Sequence, residues 1–265
     1  MKESSILPFF HPLGKGIMKI IDDLGAAAIF LSVAVVNIFR RKQLREIMQQ
    51  VYYIGARSSS IVMLIGLFTG MVLGLQLYYA LTKVGSEGFL GSVVALSLIR
   101  ELGPVLTAIM ITARAGSAMT AEIGILRISE QIDALYTMRI DPMRYLISPR
   151  IAAAIISFPL LTAFFDLVGI LGGYLTGVVL LCVDKGAYFN RIHTYVDIVD
   201  IRGGFIKSLI FAMLVATTCC YQGYFTHLRK DSYGAKSVSV STTSAVVTSC
   251  VMILISDYVV TSFLM

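Results

Sequence analysis

Five long apolar stretches constrain the fold of this chain more than any other feature of its sequence. They cover residues 60–81, 89–113, 150–181, 203–226 and 240–264, and each can cross about 30 Å of hydrocarbon as a helix. Inside a bilayer every backbone amide and carbonyl needs a partner within the protein, so a spanning segment is a helix or part of a closed barrel. No strand-like alternation occurs in these stretches. Charged residues make up 14% of the chain, against about 25% in soluble proteins. We therefore predict an all-α integral membrane protein with five transmembrane helices.

The region before the first apolar stretch is of a different kind. Residues 1–59 are predicted to form an N-terminal interfacial region, and residues 60–265 the transmembrane domain. Charged and apolar residues alternate at helical spacing around Lys15, Lys19, Asp22 and Asp23, which predicts an amphipathic helix lying on the membrane surface. The apolar segment that follows, residues 24–39, is short, and its sequence leaves open whether it enters or spans the membrane. The first residues, MKESSILPFFHPLGKG, lack the apolar core and cleavage site of a signal peptide.

The basic residues of the loops predict how the chain sits in the membrane. Sixteen Lys and Arg lie before the first span, in the loop 114–150 and in the loop 227–239, and five lie in or beside the other loops. Because basic loops stay in the cytoplasm, we expect a cytoplasmic N-terminus and a C-terminus on the other side. This asymmetry also explains the net charge of +6 without a nucleic-acid partner. The four Cys and three His are scattered, without the spacing of a metal site.

Three glycines in the first span share one helix face. Gly66, Gly70 and Gly74 follow a four-residue spacing, which lets another helix approach closely. We predict a packing interface, either within the chain or between two copies. The alternative is that glycine is simply common in membrane helices.

Arg100 and Glu101 are the only charges between Phe89 and Ala113. They lie about 17 Å along the second span, at 1.5 Å per residue, where a charge costs several kcal/mol. Pro104 follows at a distance that can free a backbone carbonyl. We interpret the two charges as a polar spot in a cavity suited to a headgroup or an ion. The alternative is a structural charge pair between helices, for example between Arg100 and Asp166. Acid–base catalysis is disfavoured because no nucleophile or metal cluster accompanies the pair.

The loop 114–150 contains a second candidate site. Residues 128–138 are predicted to form a short amphipathic helix, with Ile128, Ile132 and Leu135 on one face. Ser129 is a candidate cap for its start, and Asp141-Pro142 is expected to end it. Such a helix on the cytoplasmic face suits docking to another protein, although it could instead rest on lipid. The sequence contains no GxxxxGK[ST], so ATP-driven work would need a partner ATPase.

Two runs of sequence resemble the MlaE/YrbE family of ABC transporter permeases, and also the plant TGD-type lipid permease. They are SLIRELGPVLTAIMITARAGSAMTAEIGILRISEQIDALYTMRIDPMRYLISPR and FPLLTAFFDLVGILGGYLTGV. The resemblance extends from about Gly66 to the C-terminus and is densest between residues 95 and 178. It implies five spans preceded by an interfacial helix, with a coupling helix between spans two and three.

The resemblance also implies a function, with partners. It implies a homodimer in the bacterial inner membrane, bound to two cytoplasmic ABC ATPase subunits and to a periplasmic MCE-domain lipid-binding protein. The complex would move phospholipids between the inner and outer membranes and maintain outer-membrane lipid asymmetry. ATP and Mg would bind the ATPase, so no cofactor is expected in this chain. The lipid cavity would include Arg100, Glu101, Leu81 and Leu102. Coupling to the ATPase would involve Ser129, Glu130, Gln131, Ile132, Asp133, Ala134 and Leu135.

One departure from the family concerns the last helix. Some relatives carry arginines early in that helix, where this chain has Val240 and Ser244, so the resemblance implies no headgroup contact there. Two other functions remain possible from the residues alone. One is a carrier or channel that uses Arg100, Glu101 and Asp166 as a proton or ion relay. The other is an assembly scaffold that transports nothing.

Overall fold

The computed structural model describes residues 25–37, 44–228 and 234–264. These residues are almost entirely helical and include no strand. Five helices are long and apolar enough to cross a membrane, which confirms the predicted all-α class and the number of spans. In chain order the helices are α1 (Gly25–Asn37), α2 (Leu44–Thr82), α3 (Glu87–Ile128), α4 (Gln131–Thr137), α5 (Met143–Leu180), α6 (Lys185–Tyr195), α7 (Ile198–Tyr224) and α8 (Ala235–Leu264).

The helices are longer than the apolar stretches that predicted them. Helix α3 continues to Ile128 rather than ending near residue 113, and α2 begins at Leu44 rather than near residue 60. Hydropathy reports the part of a helix that can lie in lipid, whereas the helix itself continues wherever its inner face remains packed. In α3 that face includes Met119 and Ile123, both fully buried. The predicted boundary between residues 59 and 60 lies within α2.

The N-terminal prediction is only partly covered by the described residues. The interfacial helix predicted around Lys15 and Asp22 lies outside them. Helix α1 accounts for most of residues 24–39, and at 1.5 Å per residue it extends about 20 Å, less than a bilayer core. Phe30 packs against Tyr221 and Phe225 beside the end of α7. The Ser148 hydroxyl donates to the carbonyl of Ala34 at 3.0 Å, so α1 lies against α5 and α7.

The predicted glycine face of α2 packs against α5 of the same chain. A Cβ at residue 66 would lie 2.9 Å from the carbonyl oxygen of Phe165, and one at residue 74 would lie 3.2 Å from the Cα of Gly173. At Gly70 the added Cβ would overlap the backbone of Gly169. Backbone therefore contacts backbone along this seam, which places the close approach within one chain.

Candidate functional site

A cavity of about 390 Å³ lies where α3, α7 and the C-terminal end of α8 meet. Charged and polar residues line it together with apolar side chains and glycine backbone. The lining residues are Arg100, Glu101, Val199, Asp200, Gly203, Gly204, Lys207, Thr261 and Leu264. The two charges singled out in the sequence therefore face one cavity, together with charged residues that sequence reasoning did not include.

A distortion of α3 places Arg100 and Glu101 at this cavity. Residues Leu98–Leu102 form a π-helical turn, and the amide of Gly103 bonds to the carbonyl of Leu98. An ordinary α-helix would bond the amide of residue 104 to the carbonyl of Arg100, but proline has no amide hydrogen. The carbonyl of Arg100 instead accepts a hydrogen bond from Nζ of Lys207 at 2.9 Å. Pro104 thus creates an acceptor that the neighbouring helix uses, as its position in the sequence predicted.

Arg100 is paired with the first turn of α7. Its Nε and Nη2 each lie 2.7 Å from Oδ1 of Asp200. The other carboxylate oxygen of Asp200 accepts from the amide of Asp197 at 3.1 Å, as part of the capping box that starts α7. One carboxylate therefore caps α7 and holds Arg100. The Arg100 side chain is 45% exposed, so part of its guanidinium faces the cavity.

Lys207 joins three helices. Its ammonium lies 2.6 Å from Oε2 of Glu101 on α3 and 3.1 Å from Oδ1 of Asp257 on α8. Thr261 donates to Oε1 of Glu101 at 3.3 Å. The Lys207 side chain is only 3% exposed, and a buried ammonium is stable only when it is paired and hydrogen-bonded. Gly204 permits this arrangement, because a Cβ there would lie 2.5 Å from the carbonyl oxygen of Ile99.

The alternative of a charge pair between helices is found at both residues, since Arg100 pairs with Asp200 and Glu101 with Lys207, but the example of Asp166 as the partner of Arg100 is wrong. Arg100 binds Asp200, and among the described residues Asp166 forms no ion pair or hydrogen bond. Its Oδ1 is buried without a hydrogen-bond partner, against the backbone of Gly103. Leu81 and Leu102 are part-buried and pack on the apolar core. Neither lines the cavity, so their assignment to a lipid site stays a prediction.

Sequence reasoning missed Asp200, Lys207, Asp257 and Thr261 as site residues. A signal for them was present: Asp200 and Lys207 are seven residues apart and Asp257 and Thr261 four, so each pair shares a helix face. What the sequence could not supply is which helices these faces meet.

The second predicted site, α4, follows the C-terminal end of α3, which is the end farther from the cavity. It is held by few contacts: Ile132 is fully buried, and Asp133 pairs with Nη1 of Arg127 at 2.8 Å. The Tyr136 and Tyr224 hydroxyls lie 2.7 Å apart. Nε of Arg127 donates to Nδ1 of His227 at 2.9 Å. Burial and the Arg127 guanidinium lower the pKa of His227.

The bounds and caps of α4 differ from those predicted. The helix covers Gln131–Thr137, not residues 128–138, because two left-handed residues enclose it: Glu130, with φ of 59°, and Arg139, with φ of 58°. Ser129 does not cap the helix; its hydroxyl donates back to the carbonyl of Ile125. Asp141 does not end it either.

The chain leaves α4 through a pair of C-terminal hydrogen bonds. The amide of Arg139 donates to the carbonyl of Tyr136, and that of Ile140 to the carbonyl of Leu135, as in a Schellman motif. Asp141 then accepts from the amide of Met143 at 3.0 Å and begins α5. The surface that α4 and these residues present combines apolar and aromatic side chains with polar ones: Tyr136, Met138 and Tyr145 are more than half exposed, and Gln131 and Asp133 are exposed beside them.

A multi-span helical bundle with a charged cavity near one end and a projecting short helix at the other is the architecture of a membrane permease. Residues 47–263 match the family described as Permease MlaE, and the chain belongs to that family. It is therefore a component of a transporter rather than an enzyme. It is 40% identical over 261 residues to the intermembrane phospholipid transport system permease protein MlaE of Haemophilus influenzae, covering 98% of both chains.

Other relatives are similar over most of this chain. A probable ABC transporter permease protein of Rickettsia typhi is 38% identical over 260 residues, covering 98% of both chains. The chloroplast protein TRIGALACTOSYLDIACYLGLYCEROL 1 of Arabidopsis thaliana is 36% identical over 219 residues, covering 83% of this chain and 61% of the plant protein.

Proposed function

We propose that this chain is the membrane subunit of an ATP-driven, MCE-type ABC transporter that moves phospholipids between the inner and outer membranes. The observation that carries the proposal is the family membership, together with a cavity that combines charged and apolar walls. The Haemophilus influenzae relative, similar over its whole length, is described as a phospholipid transport permease. A phospholipid carries charges at its headgroup and apolar chains beside them, which suits walls formed by Arg100, Glu101, Val199 and Leu264.

The structure of α4 supports the proposal that an ATPase docks at the end of the bundle where the basic loops lie. It has one buried anchor, Ile132, beneath a surface on which Tyr136 and Met138 are exposed. The sequence has no nucleotide-binding motif of its own, and the Rickettsia typhi relative is described as an ABC transporter permease. We therefore assign α4 as the coupling helix.

We propose that α4 lies in the cytoplasm and that the cavity faces the periplasm, because the basic residues concentrate in the loops at the α4 end of the bundle. Arg100 and Ile128 are separated by about 40 Å of continuous helix at 1.5 Å per residue. A periplasmic MCE-domain protein would then meet the end of the bundle that carries the cavity. The N-terminus would be cytoplasmic and the C-terminus periplasmic, in the inner membrane of a bacterium.

A homodimer fits the exposed apolar faces of the outer helices. Helix α8 exposes Val251, Leu254 and Tyr258, and α2 exposes Phe68 and Val72. Lipid can cover such faces, and so can a second copy of the chain. We propose the second copy for part of this surface, in keeping with two ATPase subunits per transporter.

Co-purification followed by reconstitution tests the proposal. The chain would be expressed with its genomic neighbours, extracted in mild detergent and analysed by mass spectrometry for proteins and lipids. We expect an ATPase, an MCE-domain protein and bound phospholipid, and ATP-dependent lipid transfer once the complex is in liposomes. Arg100→Ala should retain the complex and lose bound lipid. A wild-type chain that purifies without an ATPase or lipid contradicts the proposal.

Charge reversal at Glu130 is expected to weaken docking of the ATPase on α4. Its side chain makes no hydrogen bond or ion pair among the described residues, so Glu130→Lys changes the docking surface without breaking an internal contact. We expect affinity for the ATPase to fall roughly tenfold, as for a reversed interface charge, measured by titration of the ATPase onto the detergent-solubilised permease. Asp133 is a poorer probe because it also holds Arg127.

The control for Glu130→Lys is Glu87→Lys, which reverses an exposed glutamate at the opposite end of α3. It should bind the ATPase as the wild type does. Unchanged ATPase affinity in Glu130→Lys would remove α4 as the docking element.

The second candidate function, a carrier with a proton or ion relay, is favoured by Asp166, whose Oδ1 is buried without a hydrogen-bond partner among the described residues. Asp166→Asn has nearly the same shape and cannot ionise. We expect it to support ATP-dependent lipid transfer in liposomes within about twofold of the wild type, since the structure keeps Asp166 apart from Arg100 and Glu101. Loss of transport in this variant, with a normal gel-filtration profile, would support the relay instead.

A further inference from the structure

Four charged side chains line the cavity: Arg100 and Lys207 are positive, and Glu101 and Asp200 are negative. Asp257, which does not line it, also pairs with Lys207. Lys207 is buried and committed to Glu101, Asp257 and the carbonyl of Arg100. A ligand in the cavity therefore meets Arg100 and Glu101, which are 45% and 39% exposed.

Each of these two side chains retains bonding capacity on the cavity side. The donors Nε and Nη2 of Arg100 are used by Asp200, whereas Nη1 has no partner among the described residues. Oε2 of Glu101 accepts the short bond from Lys207. Oε1 accepts a longer bond from Thr261, at 3.3 Å, and a carboxylate oxygen can accept a further donor. A cationic donor and an anionic acceptor thus lie on adjacent residues of one π turn.

We propose that this cavity selects zwitterionic phospholipids whose headgroup carries a primary ammonium. In this arrangement Nη1 of Arg100 donates to the phosphate, and the ammonium donates to Oε1 of Glu101. The inference rests on the proposed lipid-permease function and names its preferred substrate class. An anionic headgroup without an ammonium has no donor of this kind for Glu101, so the arrangement disfavours it. A volume of about 390 Å³ falls in the range of roughly 300–1,000 Å³ that small-ligand sites occupy.

A lipid competition experiment on the full purified chain tests this. The detergent-solubilised permease would be incubated with equimolar phosphatidylethanolamine, phosphatidylglycerol and phosphatidylcholine of identical acyl chains. After gel filtration, mass spectrometry would count the retained lipids. We expect phosphatidylethanolamine to exceed phosphatidylglycerol about tenfold, which corresponds to about 1.4 kcal/mol. Phosphatidylcholine should also be retained less, because its quaternary ammonium has no N–H to donate.

Variants assign the preference to one side chain. Glu101→Gln should bring the ratio of phosphatidylethanolamine to phosphatidylglycerol close to one, and Glu101→Asp, which keeps the carboxylate, should restore part of it. Glu87→Gln removes a carboxylate from the exposed start of the same helix and should leave the ratio unchanged. Gel-filtration profiles show whether each variant is folded.

Different outcomes overturn different claims. The selectivity alone is overturned if the wild type retains lipid without a headgroup preference. It is also overturned if a folded Glu101→Gln variant keeps the preference unchanged. Phosphatidylcholine retained as well as phosphatidylethanolamine overturns the hydrogen bond to Glu101. A wild-type chain that retains no phospholipid overturns the proposed function as well.

Discussion

Replacing Lys207 by methionine is expected to lower the free energy of unfolding by about 2–3 kcal/mol. Methionine keeps much of the side-chain length but removes the ammonium, which leaves Glu101 and Asp257 facing each other without their shared cation. Breaking a fully buried pair costs roughly 3–5 kcal/mol. We expect less because Glu101 is 39% exposed. The measurement is thermal or denaturant unfolding of the purified chain in detergent.

A matched control and a double variant show whether the loss comes from the unpaired carboxylates. Arg202→Met removes a positive charge from an exposed position one and a half turns earlier on α7 and should change stability little. Adding Glu101→Gln to Lys207→Met removes one of the two carboxylates and should recover part of the lost stability, giving a coupling energy between the sites. If Lys207→Met is as stable as Arg202→Met, Lys207 does not hold α3, α7 and α8 together.

The second large effect is expected at Gly70. Glycine to alanine within a helix normally stabilises by roughly 0.5–1 kcal/mol. At Gly70 the added methyl group would overlap the backbone of Gly169, and a backbone contact cannot be relieved by a change of rotamer. We expect α2 and α5 to separate locally, at a cost of about 1–3 kcal/mol or more. The measurement is the melting temperature by fluorescence-detected gel filtration.

Gly88 provides the comparison for Gly70. It lies before the first regular turn of α3, and a Cβ there would have no atom within 4 Å. Gly88→Ala should therefore melt at the wild-type temperature or slightly above it. A Gly70→Ala protein that does the same would mean that the seam between α2 and α5 is looser than the structure shows.

The fold could be predicted from the sequence because the membrane imposes one dominant rule. A segment of about 20 apolar residues must satisfy its own backbone, so the number of spans follows from hydropathy alone. The ends of the helices do not follow from it, because α3 continues to Ile128 on the packing of Met119 and Ile123. The left-handed residues at both ends of α4, Glu130 and Arg139, carry no glycine signal that would reveal them.

The site was only half predictable. Arg100 and Glu101 were visible because a charge in an apolar run is costly, and Pro104 indicated a freed carbonyl. Their partners were hidden, since Asp200 and Lys207 come a hundred residues later, where the sequence also allowed a loop and a helix start. Asp166 was the more conspicuous partner because it too lies within an apolar run, but packing places it against Gly103 instead.

Helix α7, like α8, contains no π turn, whereas the spanning helices α2, α3 and α5 each contain at least one. It runs as one regular helix of 27 residues from Ile198 to Tyr224. Tyr224 meets Tyr136 of α4 at one end, and Asp200 meets Arg100 at the other. The two contacts are therefore joined by one uninterrupted helix, so a displacement of α7 along its axis would alter both at once, whereas π turns interrupt α2, α3 and α5 between their ends.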